Sequence, residues 1–206
     1  MIFEKIDLHF DVERLRQQLV ESIFPLLPHM ESESFGGWSV LSSNGSYRDG
    51  WKGAEAFKKD FMPGATIDEK LAAVGAKRSS AYIHNTEICQ GYLAEVIDTI
   101  RAAGLTPMRA RISMLKANGK STIHRDAADH EYAVRLHVPI VTNEKCFFKT
   151  EEGSVHLPAS GDAFLLRVNR WHQVTNESDS DRVHLIMSVV DRNGFSKLHR
   201  FASTSL

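Results

Sequence analysis

The chain has 206 residues, 25 Lys and Arg against 26 Asp and Glu, a formal net charge of −1, and 42% hydrophobic residues. That length supports one large domain, and the near-neutral balance provides neither the basic field that nucleic acid needs nor an acidic tail. The two cysteines, Cys89 and Cys146, are far apart and in no CxxC pattern, which argues against a disulfide framework or a zinc knuckle and fits a reducing cytoplasm.

The opening stretch MIFEKIDLHFDVERL has no basic segment followed by an apolar run, so no signal peptide is expected. No run of about 18 apolar residues marks a membrane span. The expected location is cytoplasmic, with no membrane and no nucleic acid as partner. A homodimer is compatible with the sequence, which does not specify the oligomeric state.

The first hundred residues read as mainly helical, with some extended segments. Residues 12–24 place Leu15, Leu19, Ile23 and Phe24 near helical spacing, with Asp11 as N-cap. Residues 36–45, GGWSVLSSNG, read as a strand entering a turn. Residues 66–74 read as a short helix capped by Thr66. The clearest helix is predicted over 85–104, where Ile88, Tyr92, Val96, Ile97 and Ile100 form one stripe and Gly104 ends it.

The texture changes near residue 106. Runs at 108–115, 132–142, 145–150, 154–157, 161–168, 171–176 and 181–190 are short, β-rich and separated by Gly, Asn, Asp and Ser turns. About eight strands in this length fit a double-sheet jelly roll. The expectation is therefore a mainly β fold with flanking helices. It is a cupin-like double-stranded β-helix barrel in one domain spanning 1–206, with a helix-rich half at 1–105 buttressing a metal-binding core at 106–191.

The stretch STIHRDAADH, residues 121–130, holds His124 and Asp126 two positions apart. At the end of a strand those two side chains project to one side and Arg125 to the other. An imidazole and a carboxylate together are two-thirds of the 2-His-1-carboxylate facial triad, which leaves open positions on Fe(II). Alone, HxD is a weak signal, and a polar turn looks the same. His137, His156, His172 and His184 are the downstream candidates for the third ligand. Arg182 favours His172: an oxo-acid co-substrate needs a cation for its far carboxylate, arginine suits it, and a hairpin through NESDSD would return Arg182 beside His172.

With these motifs in place, the run from HRD through VRLHVPIVTN and GSVHLPASGDAFLLRVNRWHQVTNESDSDRVHLIMSVVD resembles the aspartyl/asparaginyl β-hydroxylase family of Fe(II)/2-oxoglutarate oxygenases. In motif it is most similar to the bacterial cis-proline 4-hydroxylases, through HRD, the R-x-H strand, TNEKC and RxHL. The resemblance covers about residues 108–191. It implies His124, Asp126 and His172 as metal ligands and Arg182 on the 5-carboxylate of 2-oxoglutarate. It implies Ser113 on the same carboxylate, Arg135 and His137 near the co-substrate's other end, and Arg111 at a further basic position. The implied cofactors are Fe(II), 2-oxoglutarate and O2. The implied reaction hydroxylates an unactivated C–H bond of an amino acid, free or within a peptide, and releases succinate and CO2. Asp126 argues against halogenation, because related halogenases carry a small residue there. Only 15 residues follow Asp191, so the extra C-terminal domain of the proline hydroxylases is not expected.

Plainer readings stand beside these. Ser113 also reads as a strand serine, and Arg135 and His137 as residues at the core's edge. His184 reads as structural, His156 as a strand residue at the rim, His130 and Arg125 as surface, Trp171 as packing and Cys89 as core. Trp38, Tyr47, Arg48 and Trp51 form an aromatic and basic cluster that would suit a clamp or a loop equally. The alternatives for the whole are the same iron chemistry used for desaturation or another oxidation, a cupin-like sensor of a small acid, and a structural jelly-roll module.

Overall fold

The computed structural model describes residues 2–50, 61–126 and 134–191. Strands β1 (Phe3–His9), β2 (Met30–Glu31), β3 (Phe35–Ser39), β6 (Leu105–Leu115), β7 (Val134–Val141), β10 (Asp162–Arg167) and β12 (Arg182–Asp191) form one antiparallel sheet. Its order is β1-β10-β7-β12-β6-β3-β2. A second sheet contains β8 (Cys146–Thr150), β9 (Gly153–Val155) and β11 (His172–Asn176), in the order β11-β8-β9. The segment running up to the metal motif extends this smaller sheet: Lys120 bridges Thr175 and His124 bridges His172, both antiparallel. From residue 105 onward this gives the eight chain segments of a jelly roll. A short ribbon, β4 (Leu41–Ser42) with β5 (His84–Asn85), lies outside both sheets.

Alternation along the strands sorts residues between two cores. On one face of the large sheet, Leu136, Val138 and Ile140 of β7, Leu185 and Met187 of β12, and Ala110 and Ile112 of β6 are buried. They pack against Leu15 of helix α1 (Val12–Gln18), Leu19 and Ile23 of the π-turn that continues it, and Leu93, Val96, Ile97 and Ile100 of helix α3 (Gly91–Ala102). The opposite face carries Phe164 and Leu166 of β10, which meet Phe148 of β8 and Leu157 in a smaller apolar cluster between the sheets. The rest of that face is polar, and it is where the site lies. Helix α2 (Ile67–Ala73) starts at Thr66, as its sequence predicts, with Thr66 and Glu69 in a reciprocal capping box.

Three expectations need correction. Among the described residues, every helix begins within the first hundred residues, but this stretch holds more strand than its sequence suggests. Ile6 and Leu8 turn inward on β1, which pairs with β10, and β3 pairs with β6, so this half contributes strands to the main sheet. The helix predicted from residue 85 begins at Gly91, because His84 and Asn85 pair with β4, the Thr86 hydroxyl donates to the Ser39 and Val40 carbonyls, and Gly91 takes a left-handed φ of +53°. Finally, β11 and β12 do not form a hairpin. β11 pairs with β8 and β12 with β6 and β7, so the NESDSD connection crosses between sheets. The Asn176 side chain holds that crossing, donating to the carbonyls of Leu115, Lys116 and Ser180.

Candidate metal centre and co-substrate pocket

His124 and His172 are a hydrogen-bonded antiparallel pair. The His124 amide donates to the His172 carbonyl at 3.0 Å and the His172 amide donates back at 2.8 Å. Both side chains leave the same side, with ring centroids 4.4 Å apart. Asp126 follows, its own amide anchored on the Val168 carbonyl at 2.8 Å. Donor atoms of His124, Asp126 and His172 all lie within 4.8 Å of one another. Arg125, between them, is exposed, with its guanidinium 5.5 Å above the Trp171 ring, so the alternation expected from HxD is present.

The nitrogens of the two rings are assigned by their partners. His124 Nδ1 lies 2.8 Å from the Thr122 carbonyl and His172 Nδ1 lies 2.8 Å from the Arg170 carbonyl. A carbonyl only accepts, so each Nδ1 carries the proton and each Nε2 presents a lone pair. This is the outer arrangement by which proteins hold imidazole ligands. His124 Nε2 is 3.6 Å from Asp126 Oδ1. A metal with bonds of about 2.1 Å sets neighbouring donors roughly 3 Å apart, so the three side chains would draw together to hold one ion.

Asp126 is held from its other side. Arg135 Nε, on β7, donates to Asp126 Oδ2 at 2.8 Å. Burial pushes the Asp126 carboxyl up, but Arg135, His172, His124 and Arg111 pull it the other way, and the outcome lies below the ordinary carboxylate value. Burial drives His172 below the usual imidazole range, which favours the neutral ring that a metal requires. The Phe148 ring stacks on His172 at 5.0 Å and 21°.

Cross-strand register brings the other predicted residues onto the polar face of the large sheet. Ser113 of β6 lies opposite His184 of β12. Arg111 and His137 flank Ile186 from either side, and Arg135 lies opposite Ser188. Arg111 is half-buried; desolvation, then repulsion from Arg135 and Arg109, pushes it well below the ordinary arginine value, with Asp126 opposing. Arg135 and His137 share the face but do different things: Arg135 is on Asp126, while His137 Nδ1 is 3.4 Å from His184 Nδ1.

Arg182 is buried, and no carboxylate lies against it among the described residues. Its Nη2 is 2.7 Å from His184 Nδ1, and desolvation lowers it to about 10. Together with His184, Thr142, Cys146, Phe148 and Leu157 it lines a pocket between the sheets. Phe148 therefore touches both places, as pocket wall and as the ring stacked on His172. A buried cation thus lies in a mostly apolar pocket, one aromatic ring away from the three-donor cluster.

Sequence reasoning missed Phe148, Thr142 and the Arg135–Asp126 pair; it read His184 as structural, and the structure places it against Arg182 beside the pocket. The signal for His184 was available, since a residue two positions from Arg182 on a strand shares its face. Trp38 is buried with its Nε1 donating to the Leu26 carbonyl, and Tyr47 is buried too, so Trp38 belongs to the core rather than to a clamp. Trp51 and His130 lie outside the described residues. Among the described residues no helix is long and apolar enough to cross a membrane.

A family model for aspartyl/asparaginyl β-hydroxylase matches residues 44–192, well over half of the chain. No curated protein matches. Similar solved structures include a 2OG-Fe(II) oxygenase family oxidoreductase from Burkholderia pseudomallei, at 12% identity and TM-score 0.47 over 88% of this chain and 78% of that one. A Pseudomonas putida prolyl-4-hydroxylase is similar at 14% identity and TM-score 0.47 over 93% of both chains. A cupin domain from Bordetella pertussis is similar at 22% identity and TM-score 0.33, over 41% of this chain and 81% of that one. These three are likenesses only; the family model carries the assignment. The chain belongs to the aspartyl/asparaginyl β-hydroxylase family and is an oxygenase that works with Fe(II) and 2-oxoglutarate.

Proposed function

We propose that His124, Asp126 and His172 hold the Fe(II), that Arg182 anchors the far carboxylate of 2-oxoglutarate, and that the enzyme hydroxylates an unactivated C–H bond of an amino acid or amino-acid-derived substrate. The observation that carries this reading is the three-donor cluster in which each ligand's other polar atom is already held by the protein. Family membership supports the amino-acid substrate.

When bound, the iron supplies the oxygen chemistry that couples decarboxylation of 2-oxoglutarate to oxidation of the substrate, with succinate and CO2 as co-products. The protein contributes position and charge. The Thr122 and Arg170 carbonyls fix both imidazole tautomers, and Arg135 leaves Asp126 Oδ1 facing His124. Phe148 shields one face of His172 from water. Arg182 offers a buried positive charge with no carboxylate against it among the described residues, where an incoming carboxylate gains most from it.

The test is succinate release by anaerobically Fe(II)-loaded protein with 2-oxoglutarate when O2 is admitted, against a panel of free amino acids and short peptides. Release that rises with one panel member and vanishes in His124→Ala and His172→Ala establishes the reaction and names the substrate. Arg182→Ala should raise the 2-oxoglutarate requirement by roughly ten- to a hundredfold, the size of a lost charge-assisted hydrogen bond. Failure of the protein to bind iron would end the reading.

A further inference from the structure

From the same pocket, and resting on the reading just proposed, we infer that His184 is a second, charge-neutral anchor for the far carboxylate of 2-oxoglutarate, donating through its Nε2–H. The inference follows from a tautomer that the neighbours dictate. Arg182 Nη2 lies 2.7 Å from His184 Nδ1. A guanidinium has donors and no acceptor, so His184 Nδ1 must be the acceptor and carries no proton. The proton of the neutral ring therefore sits on Nε2.

His184 is only 1% exposed, and its Nε2 has no hydrogen-bond partner among the described residues. A buried N–H left without an acceptor is costly, and natural structures rarely keep one without a use. His184 lines the pocket with Arg182, and the pocket's Thr142 contributes a second buried polar atom, Oγ1, that also lacks a partner. The chain thus places Arg182, His184 and Thr142 around one small pocket, and His184 and Thr142 each carry a buried polar atom without a partner among the described residues. A carboxylate has about four acceptor positions, enough for three such groups. Ser113, opposite His184 across β6 and β12, stands on the same face. Arg182 also gains, because His184 Nδ1 fixes its guanidinium before the ligand arrives.

The experiment compares two ligands on Zn(II)-loaded protein, where no turnover occurs. Equilibrium binding is measured for 2-oxoglutarate and for 2-oxopentanoate, which keeps the chelating end and carries a methyl group in place of the far carboxylate. His184→Phe is expected to weaken 2-oxoglutarate by roughly ten- to a hundredfold and to leave 2-oxopentanoate unchanged. His184→Gln, which can accept from Arg182 and still donate, should recover most of the loss. Equal weakening of both ligands would mean that His184 only supports the fold, and an unchanged 2-oxoglutarate affinity would also overturn the inference. Arg182→Met separates the two levels: if it leaves 2-oxoglutarate binding intact, the co-substrate reading itself fails, whatever His184 does. Should His184→Phe not fold, nitrogen NMR of histidine-labelled native protein decides. His184 protonated at Nε2, with a resonance that moves on adding 2-oxoglutarate and not 2-oxopentanoate, supports the anchor; a proton at Nδ1 overturns it.

Discussion

Asp126 has two carboxylate oxygens, and both are assigned. Oδ2 is held by Arg135 at 2.8 Å, while Oδ1 looks toward His124. With the metal held as proposed, Arg135 is a positioning residue, one that orients Asp126 without reaching the ion. Arg135→Ala should lower metal affinity by about ten- to a hundredfold, the usual cost of removing such an outer partner. Zn(II) titration calorimetry would measure it, and Arg135→Lys should retain part of the affinity. An unchanged Zn(II) affinity in Arg135→Ala would remove Arg135 from this role. At this scale the sequence was partly legible. His124 and Asp126 announce themselves because an i, i+2 spacing is a local property. The Arg135–Asp126 pair is not local: it depends on how β7 lies beside the HxD segment, and no spacing within either stretch encodes that. His184 reads from the sequence as a buried strand histidine, and only its contact with Arg182 shows what faces it.

Among the elements, β1 illustrates what periodicity offers and where a reader passes over it. Ile6, Leu8 and Phe10 alternate with charged residues, a strand signal in plain view beside a louder helix. What β1 needs is a partner, and a polar staple secures it on β10. Asp162 lies 2.9 Å from Lys5 Nζ and 3.2 Å from His9 Nδ1. Gly161, just before it, takes a φ of +90° and accepts from the Phe10 amide, and an added Cβ would collide with the Phe10 carbonyl oxygen. Hydrogen bonds from Lys5, Ser160 and His9 lower the Asp162 carboxyl from 3.8 to about 2. A depressed folded-state value means that the ionised group stabilises the fold above pH 3.8, and that this contribution fades as the pH falls through about 2. Asp162→Asn should therefore lower stability at neutral pH and flatten the acid limb of the unfolding curve in that window. Urea midpoints at neutral pH and at several acid pH values would show it, and parallel curves for native and variant would exclude it. The missing β11–β12 hairpin belongs here too. Six polar turn-formers in a row look like a tight turn, and only the Asn176 side chain, bonded to three carbonyls, shows that the segment is a crossing.

For the molecule as a whole, the jelly roll was readable because its strands alternate and its turns are rich in Gly, Asn and Asp. The division into a helical half and a β half was not, because β1, β2 and β3 are added to a sheet whose other members lie far along the chain. The same arrangement makes the metal a clasp. His124 lies on the segment that follows β6 and His172 opens β11, some fifty residues later, and the two segments pair at the edge of the smaller sheet. An ion bound by both stabilises the folded chain in proportion to its affinity, by about 2.7 kcal/mol at a hundredfold excess over its dissociation constant. Zn(II) should raise the melting temperature of native protein, a chelator should reverse this, and His172→Ala should be insensitive to both. An equal response in His172→Ala would place the stabilising ion elsewhere.

The reciprocal amide bonds between His124 and His172 also give the centre its own clock. Each of these protons can exchange with solvent deuterium only when the pair separates, and the pair cannot separate without parting two ligands of one ion. Mass-resolved exchange at these two amides therefore times the opening of the site itself. Both should slow together when Zn(II) binds, by a common factor, while amides on α2, far along the chain from either histidine, keep their pace.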